Sequence, residues 1–264
     1  MIPPDELSPS PAPEDETPSS SGPLTLEELT DQIEQGTLYL VSTPIGHRGD
    51  LSPRALAVIR GADIVAAEDT RHTGSLLASL KASRPLKSYH EHNKTKAAIQ
   101  LVEELEAGLS VALVTDAGTP GLSDPGYVLV RAAVLAGIPV VAVPGPSAVL
   151  SALVISGLPT DAFTFTGFLP PKKGRRRTAL TSLSELPHTL VFYESPHRIA
   201  AALADMQEVF GDRWTAVCRE LTKKYEEVRR GRLSDLAHFY ETSRARGEFT
   251  IVVAGAGFKG TLLS

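Results

Sequence analysis

The sequence predicts an α/β protein made of two successive α/β units behind a disordered N-terminal extension, and three observations carry that expectation. From residue 37 onward, short β-branched runs alternate with longer amphipathic ones, the pattern of a βαβα chain around a mostly parallel sheet. After "SGLPTDAF" the strand-like runs crowd together, which points to a second, mixed sheet and puts the boundary near 156–162. Three loops rich in Gly and Pro follow strands of the first unit directly, and ligands in such sheets bind at the carboxyl ends of strands. The expected organisation is therefore an extension over 1–36, a first unit over 37–158 and a second over 159–264.

Residues 1–23, "MIPPDELSPSPAPEDETPSSSGP", hold seven prolines and five serines with almost nothing apolar. Such a segment cannot offset its ordering entropy and is expected to be disordered. Within the rest of the extension, "LTLEELTDQIEQG" reads as a short helix, with Thr25 and Glu28 as a capping box and Gly36 as its stop. "TLYLVST" reads as a strand, "SPRALAVIRGA" as a helix opened by Ser52 and Pro53, and "DIVAAED" as a strand. "RHTGSLLASL" is predicted helical, "LKSYHEH" extended and "KTKAAIQLVEELEAG" helical. "SVALVTD", "PGYVLVRAAVLAG", "IPVVAVP" and "SAVLSALVISG" continue the alternation. In the second unit "FTFTGFLP", "HTLVFYES", "WTAVCREL", "EEVRRGRL" and "FTIVVAG" are strand candidates. "SPHRIAAALADMQEVFG" and "LSDLAHFYETSRARG" are its helices.

Composition narrows the class. A single cysteine, Cys218, excludes an internal disulfide framework and suits a reducing compartment. It lies in a strand-like run and reads as a small core residue rather than a nucleophile. No apolar run reaches the roughly 18 residues of a membrane helix. The acidic, proline-rich N-terminus is no secretory signal, so a cytoplasmic protein is expected. The net charge of −5 conceals an asymmetry, because residues 1–36 hold nine carboxylates and no lysine or arginine. Removing those nine from the 31 acidic residues leaves 22 against 26 basic ones, a mildly basic body at +4.

The loop "VTDAGTPGLSDPG", 114–126, holds three glycines, two prolines and two aspartates. Glycine lets backbone approach a ligand closely, and proline limits the entropy lost on binding. An ordinary strand-to-helix connection would explain one such loop, but "STPIGHRGD" and "VPGPSAV" repeat the chemistry, and "EDTRHTG" is a fourth loop after a strand. A GxxxxGK[ST] loop is absent, which removes a P-loop NTPase. The GxGxxG at Gly255, Gly257 and Gly260 is followed by only four residues, with no helix to receive a pyrophosphate. His90 and His92 fall on one side of a segment read as extended. With Glu91 between them and no cysteine nearby, no metal is expected.

The motifs "LYLVSTPIG", "AAEDTR", "YHEHN", "VTDAGTPGLSDPG", "VPGPSA", "FTGFLPPKKGRR", "LVFYESPHRI" and "CRELTKKYEEVRRG" occur in this order from about 38 to 254. Together they resemble the S-adenosylmethionine-dependent methylases of the tetrapyrrole-methylase fold. Within that fold they are most similar to the bacterial small-subunit ribosomal RNA cytidine 2′-O-methyltransferases. The resemblance implies a cofactor cleft between the two units, held largely by loop backbone. By position it implies contacts from Ile45, from Ala117, Gly118 and Thr119 with Leu122 after them, and from Ser147 and Ala148. Glu194 and Leu221 match positions of the second unit that close over the adenine. Thr119 departs from relatives that carry Asp there, and Asp116 is the candidate to supply that carboxylate instead.

The resemblance also implies ribosomal RNA, naked or in the small subunit, as substrate, and a homodimer. A ribose hydroxyl is a weak nucleophile and needs a base or an orienting acceptor. Glu68, Asp69, Arg71, His90, His92 and Lys223 are the candidates for this catalytic machinery. For Asp69, a helix N-cap with a surface ion pair is an equally complete reading. Lys172, Lys173, Arg175, Arg176 and Arg177 form one cation cluster, and "RELTKKYEEVRRGR" a second, which together read as a phosphate footprint. Sparse aromatics argue for folded RNA over a stacked single strand as the main grip. Two alternatives remain at this stage: a tetrapyrrole methylase of the same fold, and a non-catalytic RNA-binding assembly factor.

Overall fold

The computed structural model describes residue 22 and residues 24–260. The stretch predicted to be disordered, 1–23, lies outside the described residues except for Gly22. Within the rest of the extension the expected short helix forms as α1 (Leu26–Asp31). Thr25 and Glu28 make the capping box in both directions. The helix stops at Asp31, short of Gly36.

The first unit continues β1 (Leu38–Val41), α2 (Pro53–Gly61), β2 (Ile64–Ala67), α3 (Thr70–Ser79) and β3 (Leu86–Ser88). Next come α4 (Lys94–Glu106), β4 (Val111–Val114), α5 (Gly126–Leu135), β5 (Val140–Val143) and α6 (Ala148–Ser156). Ser52 caps α2 by accepting from the Ala55 N–H, with Pro53 at its first position. The five strands form one parallel sheet in the order β3-β2-β4-β1-β5. Alternate residues of each strand serve opposite faces. Tyr39, Val65 and Ala112 pack under α2 with Val58 and Ile59. Leu38, Ile64 and Val111 pack under α4 and α5 with Leu101 and Leu129. The connection leaving β1 thus crosses one face while the connection leaving β4 crosses the other. The carboxyl ends of these two neighbours are a topological switch point.

The second unit runs β6 (Phe163–Phe168), α7 (Lys173–Thr181), β7 (Thr189–Glu194), α8 (Ile199–Phe210) and β8 (Trp214–Arg219). It ends with β9 (Glu227–Arg232), α9 (Leu233–Thr242) and β10 (Phe249–Val253). Its mixed sheet has the order β6-β7-β10-β8-β9, with only β6 and β7 parallel. One face packs Leu190, Phe192 and Ile251 against α8 and α9. The other packs Val191, Ala216, Cys218 and Val252 against Val149, Ala152 and Leu153 of α6. The sequence places α6 with the first unit, but the helix is apolar on most sides and its inner face covers the second sheet. Cys218 is buried there, and desolvation pushes its thiol up to about 12, so it is no nucleophile.

Candidate functional site

Three loops meet at the switch point. Thr43 and Gly118 exchange both backbone hydrogen bonds, at 2.9 and 3.0 Å, which joins the loops after β1 and β4. Gly118 has φ +88, and a Cβ there would meet only Ile45 at 3.5 Å and the Pro146 carbonyl at 3.8 Å. The glycine is required by conformation rather than by space. Thr119 accepts from the Ser42 hydroxyl and donates to the Pro146 carbonyl, both at 3.1 Å. Its side chain stitches three loops together, which explains a threonine at this position. Asp116 accepts from the Asp69 N–H at 3.2 Å and brings in the loop after β2.

Between these loops and the second sheet lies a cavity of about 400 Å³, within the ordinary range of ligand pockets. Ile45, Asp116, Ala117, Gly118, Thr119 and Leu122 line it from the first sheet, and Ser147 and Ala148 from the start of α6. Glu194 and Leu221 line it from the second sheet. The nine positions that the resemblance implies for the cofactor, and Asp116 with them, therefore share one cavity. Phe168, Tyr193 and the segment 247–250 line it too, and sequence reasoning missed them. The last of these reaches the cavity only because β10 sits centrally in the second sheet, which no local motif encodes.

Two buried polar atoms of the lining lack a partner among the described residues: Ser147 Oγ and Glu194 Oε2. Ser147 begins α6 without a side-chain cap. Glu194 Oε1 accepts from the Ser195 N–H at 2.8 Å and pairs with Arg198 Nη2 at 2.8 Å. Burial raises the Glu194 carboxyl against the opposing pull of those partners. Orphaned groups of this kind in a cavity wall are what a polar ligand satisfies.

The catalytic candidates separate. Glu68 lines the cavity, and burial raises its carboxyl, with Asp116 and Asp124 adding to the effect. Asp69 instead caps α3, accepting from the Arg71 and His72 N–H groups, and pairs with Arg71 at 3.1 Å. Those hydrogen bonds hold its carboxyl at about 2. Arg71 extends into solvent with 92% of its side chain exposed. His90 and His92 stand edge to face at 5.9 Å, on a turn rather than the expected extended segment. His92 is exposed, and neither ring lines the cavity. Lys223 Nζ is held by Glu220 at 3.0 Å and Glu248 at 2.8 Å. Burial opposes its charge, but those hydrogen bonds outweigh it and raise the ammonium pKa, which makes Lys223 a poor base.

The cation clusters need correction as well. "KKGRRR" is mostly the first part of α7, and Arg176 is buried, bonding Asp205 at 2.6–2.7 Å and the Pro171 carbonyl at 3.2 Å. A side chain so committed is not free for phosphate. Arg177 pairs with Glu208, while Lys172, Lys173 and Arg175 are exposed and make no ion pair among the described residues. In the second cluster, Arg219 and Arg229 pair with Glu227. Arg230 binds the Ile155 and Ser156 carbonyls at the end of α6, and Arg232 the Asp212 carbonyl. That cluster mostly holds the second unit together and fastens α6 to it.

Comparison with known proteins agrees with this geometry. The family model for tetrapyrrole (corrin/porphyrin) methylases matches residues 37–237. A "Ribosomal RNA small subunit methyltransferase I" of Halalkalibacterium halodurans is 46% identical over 235 residues, covering 89% of this chain and 81% of the relative. One of Micromonospora olivasterospora is 52% identical over 227 residues, covering 86% of this chain and 72% of the relative. Among solved structures, a uroporphyrin-III-C-methyltransferase of Thermus thermophilus superposes with TM-score 0.59 at 24% identity, over 82% of this chain and 94% of that one. A Thermus uroporphyrin III C-methyltransferase complexed with S-adenosyl homocysteine gives 0.57 at 20% identity, over 83% and 97%. The chain belongs to the tetrapyrrole (corrin/porphyrin) methylase family and, within it, to the group defined by the ribosomal RNA small subunit methyltransferase I relatives.

Proposed function

We propose that this protein transfers the methyl group of S-adenosylmethionine to the 2′-hydroxyl of a cytidine in small-subunit ribosomal RNA. The observation that carries the reading is identity of 46–52% over most of the chain to relatives named for that RNA. The uroporphyrin methyltransferases are only 20–24% identical, which disfavours a tetrapyrrole substrate. The orphaned Glu194 Oε2 and Ser147 Oγ, together with the glycine loop, suit a cofactor that carries amine and hydroxyl groups. Ile45, Asp116, Ala117, Gly118, Thr119, Leu122, Ser147, Ala148, Glu194 and Leu221 hold it. When bound, the cofactor supplies an electrophilic methyl on a sulfonium, chemistry that requires no metal.

The protein's own task is to aim a ribose oxygen in line and keep water out. Glu68 is the general base in this reading. It takes the hydroxyl proton on a carboxylate oxygen as the oxygen–carbon bond forms and the carbon–sulfur bond breaks. Its raised pKa brings it nearer the operating pH, which strengthens it as a base. Asp69 and Arg71 order the start of α3, and Lys223 braces the second unit; none of these handles the proton.

Lys172, Lys173 and Arg175 meet RNA phosphates. The protein is cytoplasmic in this reading, where its RNA resides; no described helix is long and apolar enough to cross a membrane. It acts as a homodimer. Support comes from apolar side chains left exposed on α5 (Tyr127, Val134, Leu135) and on α6 (Leu150, Val154). Sedimentation of the wild type and of Val154→Glu tests this part, with a shift to monomer expected in the variant. The reaction is tested by transfer of tritiated methyl to small subunits, naked ribosomal RNA and a tetrapyrrole. Label is expected on RNA alone.

A further inference from the structure

Phe168 is placed by an irregular strand. Along β6, Phe163 lies opposite Thr189 and Phe165 opposite Val191, but the register then shifts and Phe168 lies opposite Tyr193. In a regular strand Phe165 and Phe168 would face opposite sides of the sheet. The bulge, with Gly167 at φ +70, turns both rings onto Tyr193, with centroids at 4.9 and 5.5 Å. Gly167 also abuts the first unit, since a Cβ there would sit 2.6 Å from Ser123 Oγ. Phe168 consequently stands in the cavity wall, yet it is 54% exposed. A phenylalanine more than half open to water at a ligand site has ring surface left for a partner beyond Tyr193 and Arg198.

The residues after it indicate what that partner carries. The Leu169 carbonyl accepts from Arg198 Nη1, and the Pro171 carbonyl from Arg176 Nη1, both at 3.2 Å. These two bonds fix the path from the ring to Lys172, Lys173 and Arg175, the exposed and unpaired cations. Arg198 stands 6.0 Å from the Phe168 centroid, so ring, loop and Glu194 share one anchor. An open aromatic face followed within seven residues by free cations matches a group with a flat ring and attached phosphates.

We propose that Phe168 is the platform on which the base of the methyl-accepting nucleotide stacks, with its flanking phosphates on Lys172, Lys173 and Arg175. The assignment rests on the ribosomal RNA reading above. One platform suits one unstacked nucleotide in otherwise folded RNA, the mode by which RNA bases are commonly read. Stacking accepts any base, so the choice of cytidine falls to other groups.

The test is steady-state methyl transfer to small subunits by wild type, Phe168→Leu and Phe168→Tyr, with cofactor affinity measured calorimetrically in each. Leucine keeps apolar bulk and removes the π face, whereas tyrosine retains it. Phe168→Leu is expected to raise KM for the RNA substrate by between about fivefold and a hundredfold. Cofactor Kd should stay unchanged, and Phe168→Tyr should restore the wild-type KM. Wild-type kinetics in Phe168→Leu would overturn the assignment. So would a matching loss of cofactor affinity, which would make the ring a cofactor wall. Wild-type protein that binds cofactor but transfers no methyl to RNA would overturn the ribosomal RNA reading, and this assignment with it.

Discussion

Arg198 Nη2 pairs with Glu194 Oε1 at 2.8 Å across the turn that joins β7 to α8 and leaves Oε2, the other oxygen of the same buried carboxylate, without a partner among the described residues. One oxygen anchors the side chain, and in the proposed reading the other is kept for the cofactor. Glu194→Gln should therefore weaken cofactor binding by about 1.5–3 kcal/mol, the usual worth of a hydrogen bond to a charged group, as read by calorimetry. Equal affinity in a folded variant would remove Glu194 from the cofactor contacts.

The same carboxyl sets a pH dependence of stability. Burial raises its folded pKa above the unfolded value, so the folded state holds the proton more tightly. Its contribution is complete below the unfolded pKa and is lost as pH rises through the raised one. Denaturant melts of wild type and Glu194→Gln should diverge in favour of glutamine as pH climbs through that window. A constant difference would show that the site does not titrate there.

Gly118→Ala separates conformation from space. The Cβ finds ordinary contacts, but φ +88 is strained for alanine. A loss of about 1–2 kcal/mol is expected, with a larger relative drop in cofactor affinity because the Thr43 bridge shifts. Wild-type affinity would show that the loop backbone is not a ligand surface.

Arginine substitutions in α7 should split cleanly. Arg176→Ser leaves Asp205 buried and unpaired and should cost about 3–5 kcal/mol of stability. Lys172, Lys173 and Arg175 changed together to serine should leave the melting temperature alone. RNA affinity should fall and its salt dependence flatten by about 0.7–0.9 log units per lost contact. Parallel salt slopes would take these cations out of the RNA interface.

The first sheet was legible because four of its five strands, all but β3, are short apolar runs closed by a turn signal, and Ser52–Pro53 announces α2 directly. The positions carried over by resemblance met in one cavity because each sits at a strand's carboxyl end or in the few residues that follow it. What stayed hidden depends on partners distant in sequence. Arg176 looks like any other cation until α8 brings Asp205 against it. Nothing within "FTFTGF" reveals the bulge at Gly167, since the register is set by β7. Residues 247–250 face the cavity only through the antiparallel insertion of β10, and α6 reads as part of the unit it follows rather than the one it covers.

Glu68→Gln removes the one candidate base in the cavity wall. Transfer by wild type should rise with pH through the raised Glu68 pKa, and the variant should lose that limb along with about 10²–10⁴ in rate. An unchanged profile would assign the proton to another group.

The central claim is tested most directly by nucleoside analysis of small-subunit ribosomal RNA after incubation with the protein and labelled S-adenosylmethionine. The account predicts label in 2′-O-methylcytidine alone, and none with Gly118→Val. Label on a base, or transfer to a tetrapyrrole with none to RNA, would contradict it.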